Sequence, residues 1–149
     1  MIIKVIDFTI FKKYFFCFVM FIPLKKAVKG FWDRHESQVH KWFFNRKRYS
    51  VVISASPDFL LGEIQKRLGF DELICTCHNA KTGAIIGKNC RDEEKVNRLF
   101  ELYNKEDIEI IDVYSDSIKH DKPIFSLGKN CYHIVKGKKV PFEFKNIYG

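Results

Sequence analysis

Short apolar runs rich in β-branched residues alternate with segments of helical period along most of this chain. The pattern is clearest in 51–68, where Val51-Val-Ile is followed by a polar turn, by Pro57 and by a helical run that ends near Leu68. Such apolar runs are typical of strands buried on both faces of a sheet. Because strands separated by helices usually pair in parallel, the alternation predicts an α/β fold on a doubly wound parallel sheet.

The remaining elements follow the same alternation. Apolar residues at helical spacing predict further helices, over 25–48 and 91–103, with a short one opened by Pro123. Short apolar runs predict further strands, over 1–6, 73–78, 108–114 and 129–135. The turn Asn79–Gly83, between two short runs, predicts one small β-hairpin ending at Lys88. From Gly137 onwards the chain is basic, and we expect a frayed tail.

The net charge restricts the class of partner. The formal charge is +8 for 149 residues, but the basic residues are scattered among acids and no nucleic-acid-binding motif is present. We therefore expect no nucleic-acid partner and interpret the charge as a bias towards anionic ligands, phosphate esters included.

Cysteine usage indicates the compartment. The five cysteines are an odd number without regular spacing, which is typical of free thiols in a reducing compartment and predicts a cytoplasmic protein. The sequence Cys75-Thr-Cys77-His78 has one residue between its cysteines rather than the usual two, and no second pair follows. A strand with two small buried thiols is therefore favoured over a zinc site.

The segment Tyr14–Leu24 is eleven apolar or aromatic residues between two lysine pairs. It is shorter than the roughly 20 residues that span a bilayer. It matches a signal-peptide core in length, but no small-residue cleavage site follows it and Asp7 lies upstream, where positive charge is expected. A buried or interfacial helix is the favoured interpretation, and contact of Tyr14–Leu24 with a membrane is the alternative.

Two strand ends carry polar residues suited to chemistry. The run over 108–114 ends at Ser115, Asp116 and Ser117, with Asp121 shortly after. Ligands bind at the carboxyl ends of strands in open α/β sheets, and paired carboxylates there suit Mg²⁺. A solvated turn would use the same residues.

The strand Val51-Val-Ile ends at Ser54, and a helix follows Pro57. Hydroxyl groups facing a helix N-terminus favour an anion site, although a plain serine cap is equally compatible. Lys95 lies in the first turns of the helix over 91–103, where a solvated lysine is the default interpretation.

Taken in order, Val51-Val-Ile-Ser54, Lys95 and Tyr114–Asp121 resemble the motifs of the haloacid dehalogenase superfamily, and specifically its phosphoserine-phosphatase-like branch. The resemblance covers roughly 31–138. An ordered set of motifs is far more specific than any one of them. The resemblance implies a Rossmann-like sheet flanked by helices, with the site at the carboxyl edge.

The resemblance also implies roles for individual residues. Ser54 matches the phosphate-binding hydroxyl and Lys95 the phosphate-binding lysine. Asp116 and Asp121 match the acids of the Mg²⁺ site, where Asp7 would be the third ligand as well as the catalytic nucleophile. The first motif departs from the family, because Thr9 occupies the position of its second, acid/base aspartate.

The stretch between Asp7 and Ser54 is shorter than the helical cap usually inserted there, so the resemblance implies that the cap is largely missing. We therefore divide the chain into an atypical apolar segment that holds the degenerate first motif and a cap remnant, a core and a basic tail, over 1–30, 31–138 and 139–149.

The expected function is that of a Mg²⁺-dependent phosphatase that cleaves a phosphate monoester through an aspartyl-phosphate intermediate, with activity weak or lost in this chain. The partner would be a small phosphorylated metabolite or a phosphoprotein. The alternative is a truncated, non-catalytic remnant that binds a phosphate ligand or a protein. This alternative includes a remnant that is associated with a membrane.

Overall fold

The computed structural model describes residues 16–149, and these form two compact units that divide between Asn89 and Cys90. The strand predicted over 1–6 lies outside the described residues, as do Asp7 and Thr9. Each unit contains a small parallel strand pair with helices beside it, which confirms the predicted α/β class and its Rossmann-like character.

The first unit is built on one strand-helix-strand repeat. It begins with two elements that precede the repeat, a 3-10 helix over Phe16–Phe21 and helix α1 over Leu24–His35, and a short helix α2 over Lys41–Phe44 follows them. The repeat itself is β1, α3 and β2, with the bounds Val51–Pro57, Asp58–Leu68 and Glu72–Thr76.

Strands β1 and β2 pair in parallel, with Val51 opposite Glu72 and Ser54 opposite Cys75. The register shifts between Ser54 and Pro57, so the polar turn predicted after Val51-Val-Ile is a bulge at the end of a longer strand. Helix α3 ends where Gly69 adopts a left-handed conformation, with φ of 60°, and donates its N–H to the carbonyl of Gln65 at 2.8 Å.

Polar contacts join helix α1 to α3. The indole Nε1 of Trp32 donates to the carbonyl of Leu60 at 2.8 Å. Arg67 of α3 forms ion pairs with Asp33 of α1 at 2.9 Å, with Glu36 just after α1 at 3.1 Å and with Glu63 of its own helix at 2.9 Å. The buried apolar residues of this unit include Val28, Ile64, Phe70, Ile74 and Cys75.

The second unit contains helix α4 over Glu93–Leu102 and a three-stranded sheet with two short helices. These are β3, α5, β4, β5 and α6, with the bounds Asp112–Ser115, Lys122–Phe125, Asn130–Val135, Lys138–Phe142 and Phe144–Tyr148. Strand β4 is central, parallel to β3 and antiparallel to β5. The core consists of Val113, Phe125 and Cys131, with Phe142, Phe144 and Tyr148 packed against it.

The single long helix predicted over 25–48 was wrong. Helix α1 stops at His35, and a 3-10 turn over Glu36–Gln38 is followed by extended backbone at Val39 and His40, each with ψ of 131°. The break lets the ring of Phe43 pack edge-on against Phe70, with centroids 6.0 Å apart. Burial of these aromatic rings outweighs continuation of the helix.

The hairpin predicted across Asn79–Gly83 was also wrong in extent. The turn forms, with the Gly83 N–H donating to the carbonyl of Asn79 at 2.7 Å, but pairing is limited to one antiparallel bridge between His78 and Ile85. Ile86, in the expected second strand, is exposed, so pairing there would bury little apolar surface.

A full hairpin forms instead where a frayed tail was expected. Lys136 and Gly137 both have positive φ, 48° and 78°, between β4 and β5, which is the backbone of a two-residue type I′ turn. Beyond it, the apolar side chains of Phe142, Phe144 and Tyr148 pack on the core and hold the C-terminal residues in place.

All five cysteines are free, and Cys75 is buried whereas Cys77 is exposed. The expectation of two buried thiols on one strand is thus half right, because β2 ends at Thr76. No helix within 16–149 is long and apolar enough to cross a membrane.

We predict that Gly83→Ala destabilises the protein by at least about 2 kcal/mol. Gly83 has φ of 70°, and a Cβ added there would lie 1.9 Å from the carbonyl oxygen of Phe16. The matched control is Gly62→Ala within α3, where a Cβ meets nothing within 4 Å. This control should raise the free energy of unfolding by about 0.5–1 kcal/mol, through helix propensity. Urea denaturation measures both, and equal stabilities of Gly83→Ala and wild type would contradict the prediction.

Candidate functional site

The loop that follows β3 is held by its own hydroxyl groups. Ser115, the last residue of β3, accepts the backbone N–H of Ser117 at 3.0 Å. The hydroxyl of Ser117 accepts the N–H of His120 at 3.3 Å, and its carbonyl accepts the N–H of Asp121 at 3.1 Å. The loop therefore brings Asp121 back beside the end of the strand, where it forms the N-cap residue of α5.

The carboxylate of Asp121 is buried and has a partner on each oxygen. Lys95 Nζ, from the first turn of α4, forms an ion pair with Oδ1, and Ser115 Oγ donates to Oδ2. Only 12 % of the Lys95 side chain and 10 % of the Asp121 side chain are exposed. Removing two charges from water is costly unless each finds its partner. We refer to these three residues as the Lys95–Asp121–Ser115 cluster.

A second polar group links the start of α4 to the same loop. Nδ1 of His120 lies 2.9 Å from Asp92 Oδ1, and its Nε2 lies 2.7 Å from an Nη atom of Arg91. The same Nη atom also lies 3.2 Å from Nδ1. A guanidinium only donates and an ionised carboxylate only accepts, so the imidazole ring links Arg91 to Asp92. Asp92 has φ of 51°, a conformation that few non-glycine residues adopt.

This histidine contact was missed in the sequence analysis. The one hint of it in the sequence is the position of these residues. His120 directly precedes Asp121, and Arg91 and Asp92 precede the helix that carries Lys95. Nothing in the spacing alone indicates that these two short polar pairs would meet.

Tyr148, the last residue of α6, contacts the same loop. The hydroxyl of Tyr148 donates to the carbonyl of Ile118 in the loop. Burial raises the pKa of the Tyr148 hydroxyl, and the negative charge of Asp121 raises it further. The phenol therefore stays protonated and keeps donating at neutral pH.

The predicted acids differ in their surroundings. Asp116 is exposed at the end of β3, and its backbone carbonyl accepts a hydrogen bond from Nε2 of His133 at 3.2 Å. Asp121 is 7 % exposed. Each carboxylate offers hard oxygen donors of the kind that Mg²⁺ prefers, and the two hydrogen bonds to Asp121 leave lone pairs on both of its oxygens. Among residues 16–149 no three His, Cys, Asp or Glu side chains are grouped to hold a metal ion.

Ser54 lies in the first unit, as the middle residue of β1 and just before the register shift of that strand. Its hydroxyl accepts the backbone N–H of Ser56 at 3.1 Å, and Ser54 is partly buried. The N-cap residue of α3 is Pro57, without a side-chain hydrogen bond to the helix, so the serine-cap alternative is wrong. Asp58 in the first turn instead accepts the N–H groups of Phe59 and His78.

Comparison with known proteins agrees with the resemblance to the haloacid dehalogenase superfamily. A family model described as haloacid dehalogenase-like hydrolase matches residues 20–126. The chain is also 31 % identical over 93 residues to Protein CicA of Caulobacter vibrioides, in each of two strains. The match covers 59 % of this chain and 41 % of CicA, so the chain matches about two fifths of the length of these relatives. No solved structure matches.

We predict strong energetic coupling between Lys95 and Asp121. Lys95→Met should lower the free energy of unfolding by about 3 kcal/mol, because it leaves a buried carboxylate without its cation. The double variant Lys95→Met with Asp121→Asn should lose less free energy of unfolding than the two single variants lose together, by at least about 1 kcal/mol. Chemical denaturation of the four proteins measures the coupling.

The matched control is the exposed pair formed by Lys129 and Glu109 in the same unit, where about 60 % of each side chain is exposed. The corresponding cycle, with Lys129→Met and Glu109→Gln, should give a coupling below about 1 kcal/mol. Similar values from the two cycles would mean that burial does not strengthen the Lys95–Asp121 pair.

Proposed function

Because the chain belongs to the haloacid dehalogenase-like hydrolase family, we propose that it is a Mg²⁺-dependent phosphatase by descent, of the phosphoserine-phosphatase-like branch. It would cleave phosphate monoesters through an aspartyl-phosphate intermediate, with activity that is weak or lost in this chain. The observation that carries the proposal is the buried Lys95–Asp121–Ser115 cluster at the carboxyl end of β3.

Lys95 is suited to hold a phosphoryl group. Its ammonium group has three N–H donors, and the contact with Asp121 Oδ1 uses one of them. Its position is set by an ion pair with a carboxylate that the loop and Ser115 hold in turn. A donor fixed before the ligand arrives, in a place with little water, stabilises phosphoryl oxygens better than a mobile surface lysine.

Asp116 and Asp121 are the proposed Mg²⁺ ligands among the described residues, and Asp7 would be the third. A bound Mg²⁺ neutralises charge on the phosphoryl group. The exposed carboxylate of Asp116 and the buried one of Asp121 have different tasks in this proposal. Asp116 is accessible to an incoming ion, whereas Asp121 also orients Lys95.

The chemical step is assigned to Asp7, on the basis of the family motif. Its carboxylate would attack phosphorus, the phosphorus–oxygen bond to the leaving alcohol would break, and water would then hydrolyse the aspartyl-phosphate. Ser54 would donate its hydroxyl to a phosphoryl oxygen. With Thr9 in place of the acid/base aspartate, protonation of the leaving alcohol loses a contribution of about 10²–10⁴-fold.

The proposed substrate class is a small phosphorylated metabolite or a phosphoprotein. With most of the cap missing, few residues remain to select the group attached to phosphate. We retain a cytoplasmic location as part of the proposal, because all five thiols are free.

The direct test is hydrolysis of p-nitrophenyl phosphate with Mg²⁺ by the purified chain. We expect turnover by wild type at least about a hundredfold below the roughly 10 s⁻¹ of a typical enzyme. The remaining turnover should be lost when EDTA is added to wild type, and it should also be lost in the variants Asp7→Asn and Lys95→Met. Lys105→Met, at an exposed lysine of the same unit, is the control and should match wild type. Robust turnover abolished by Asp7→Asn would overturn the claim of decay, and turnover unaffected by it would remove Asp7 from the mechanism.

A non-catalytic phosphate-binding protein is the second candidate. It is favoured by the cluster itself, in which Lys95 and Asp121 are positioned entirely by residues of the second unit. In that case inorganic phosphate should raise the melting temperature of wild type and of Lys105→Met, but not of Lys95→Met, while hydrolysis stays at background. Equal stabilisation of all three proteins would remove Lys95 as the binding residue.

A further inference from the structure

The 3-10 helix over Phe16–Phe21 presents a cluster of large apolar side chains to solvent. Phe18, Met20 and Phe21 are 48 %, 52 % and 82 % exposed, whereas Val19 between them is 3 % exposed. Phe21 is the most exposed large apolar residue of the described part of the chain. We call these three residues the apolar patch. Adjoining apolar groups in water are unfavourable and commonly mark a binding surface.

The 3-10 helix that carries the patch is anchored to the first unit through Phe16 and Val19. The ring of Phe16 packs edge-on against Phe59 and His78, with centroid distances of 5.7 Å and 5.3 Å. The backbone of Phe16 also lies so close to Gly83 that no Cβ fits between them. With Val19 buried on the same unit, the exposed side chains are fixed on an anchored element rather than on a loose end.

The charges that flank the patch in the sequence are all of one sign. The stretch 12–32 contains five lysines and no carboxylate. Three of them, Lys25, Lys26 and Lys29, are exposed on the first turns of α1, which begins three residues after the 3-10 helix. Lys25 and Lys29 are one helical turn apart and so share a face of α1.

Exposed apolar side chains, followed within a few residues of the chain by exposed lysines, match the interface of an anionic bilayer. There the apolar groups enter the boundary between headgroups and acyl chains, and the ammonium groups remain among the lipid phosphates. Each lysine near such a surface adds to binding. At six residues the 3-10 helix is far too short to span the hydrocarbon, so it would lie in the surface.

We propose that the apolar patch, together with Lys25, Lys26 and Lys29, is a docking site for an anionic membrane surface. The assignment depends on the first unit alone, and it holds whether or not the chain hydrolyses phosphate esters.

Co-sedimentation with large unilamellar vesicles tests the proposal. Wild type should bind vesicles of phosphatidylcholine with 30 % phosphatidylserine, bind vesicles of phosphatidylcholine alone at least about tenfold more weakly, and be released by high salt. Phe18→Ser with Phe21→Ser should weaken binding at least about tenfold. Lys25→Glu with Lys26→Glu should weaken binding to the anionic vesicles to a similar degree.

Matched control variants distinguish binding through this site from nonspecific binding to vesicles. Phe44→Ser removes a phenylalanine of the same unit that is 51 % exposed, close to the exposure of Phe18. Lys66→Glu with Lys105→Glu makes the same charge change at exposed lysines elsewhere. Both controls should bind like wild type. Equal losses in the controls and in the site variants, or no binding of wild type to the anionic vesicles, would overturn the proposal.

A tryptophan probe covers the case in which the serine variants fail to fold. With Phe21→Trp, anionic vesicles should shift the emission to shorter wavelength relative to wild type, whereas Phe44→Trp should show no such shift. Absence of a shift at position 21 would contradict insertion of the patch.

A second copy of the chain could also cover the patch, and light scattering without lipid distinguishes that case. If wild type is a dimer and the double variant Phe18→Ser with Phe21→Ser is a monomer, the patch is an interface between two copies of the chain. That result would overturn membrane docking as the role of this surface.

Discussion

The ion pair between Lys95 and Asp121 is the interaction on which the second unit depends. A cation from α4 and an anion from the loop after β3 are both almost fully removed from water, and neither would be tolerated there alone. The pair therefore specifies where α4 lies relative to that loop. Ser115 completes the arrangement by occupying the second carboxylate oxygen.

A buried ion pair is weak evidence for stability, since apolar residues of similar volume often stabilise a core equally well. The position of the Lys95–Asp121 pair in the sheet fits the proposed phosphate site. It stands at the carboxyl end of a parallel strand, where ligands of α/β sheets bind. The contacts of His120 with Asp92 and Arg91 add a second link between the same two segments.

The fold was predictable where local and tertiary preferences agree. The repeat of β1, α3 and β2 was expected from Val51-Val-Ile, Pro57 and the helical run to Leu68. It forms, with β1 continuing through the expected turn to Pro57. Prediction failed where distant contacts decide the backbone. The ring contact between Phe43 and Phe70 interrupts the long helix, and Phe142, Phe144 and Tyr148 hold a C-terminal segment that its lysines made look unstructured.

By itself the sequence determined the α/β class and the family, because strand periodicity and ordered motifs are local properties of a chain. The same motifs predict Ser54, Lys95, Asp116 and Asp121 as site residues. Only the tertiary structure decided that Lys95 and Asp121 meet in a buried pair, that Asp116 stays in solvent and that His120 contacts Arg91 and Asp92. These outcomes depend on the path of the loop between β3 and α5. That path is set by local hydrogen bonds within the loop and by the contacts of Asp121 and His120 with Lys95 and Asp92, which are distant in the sequence.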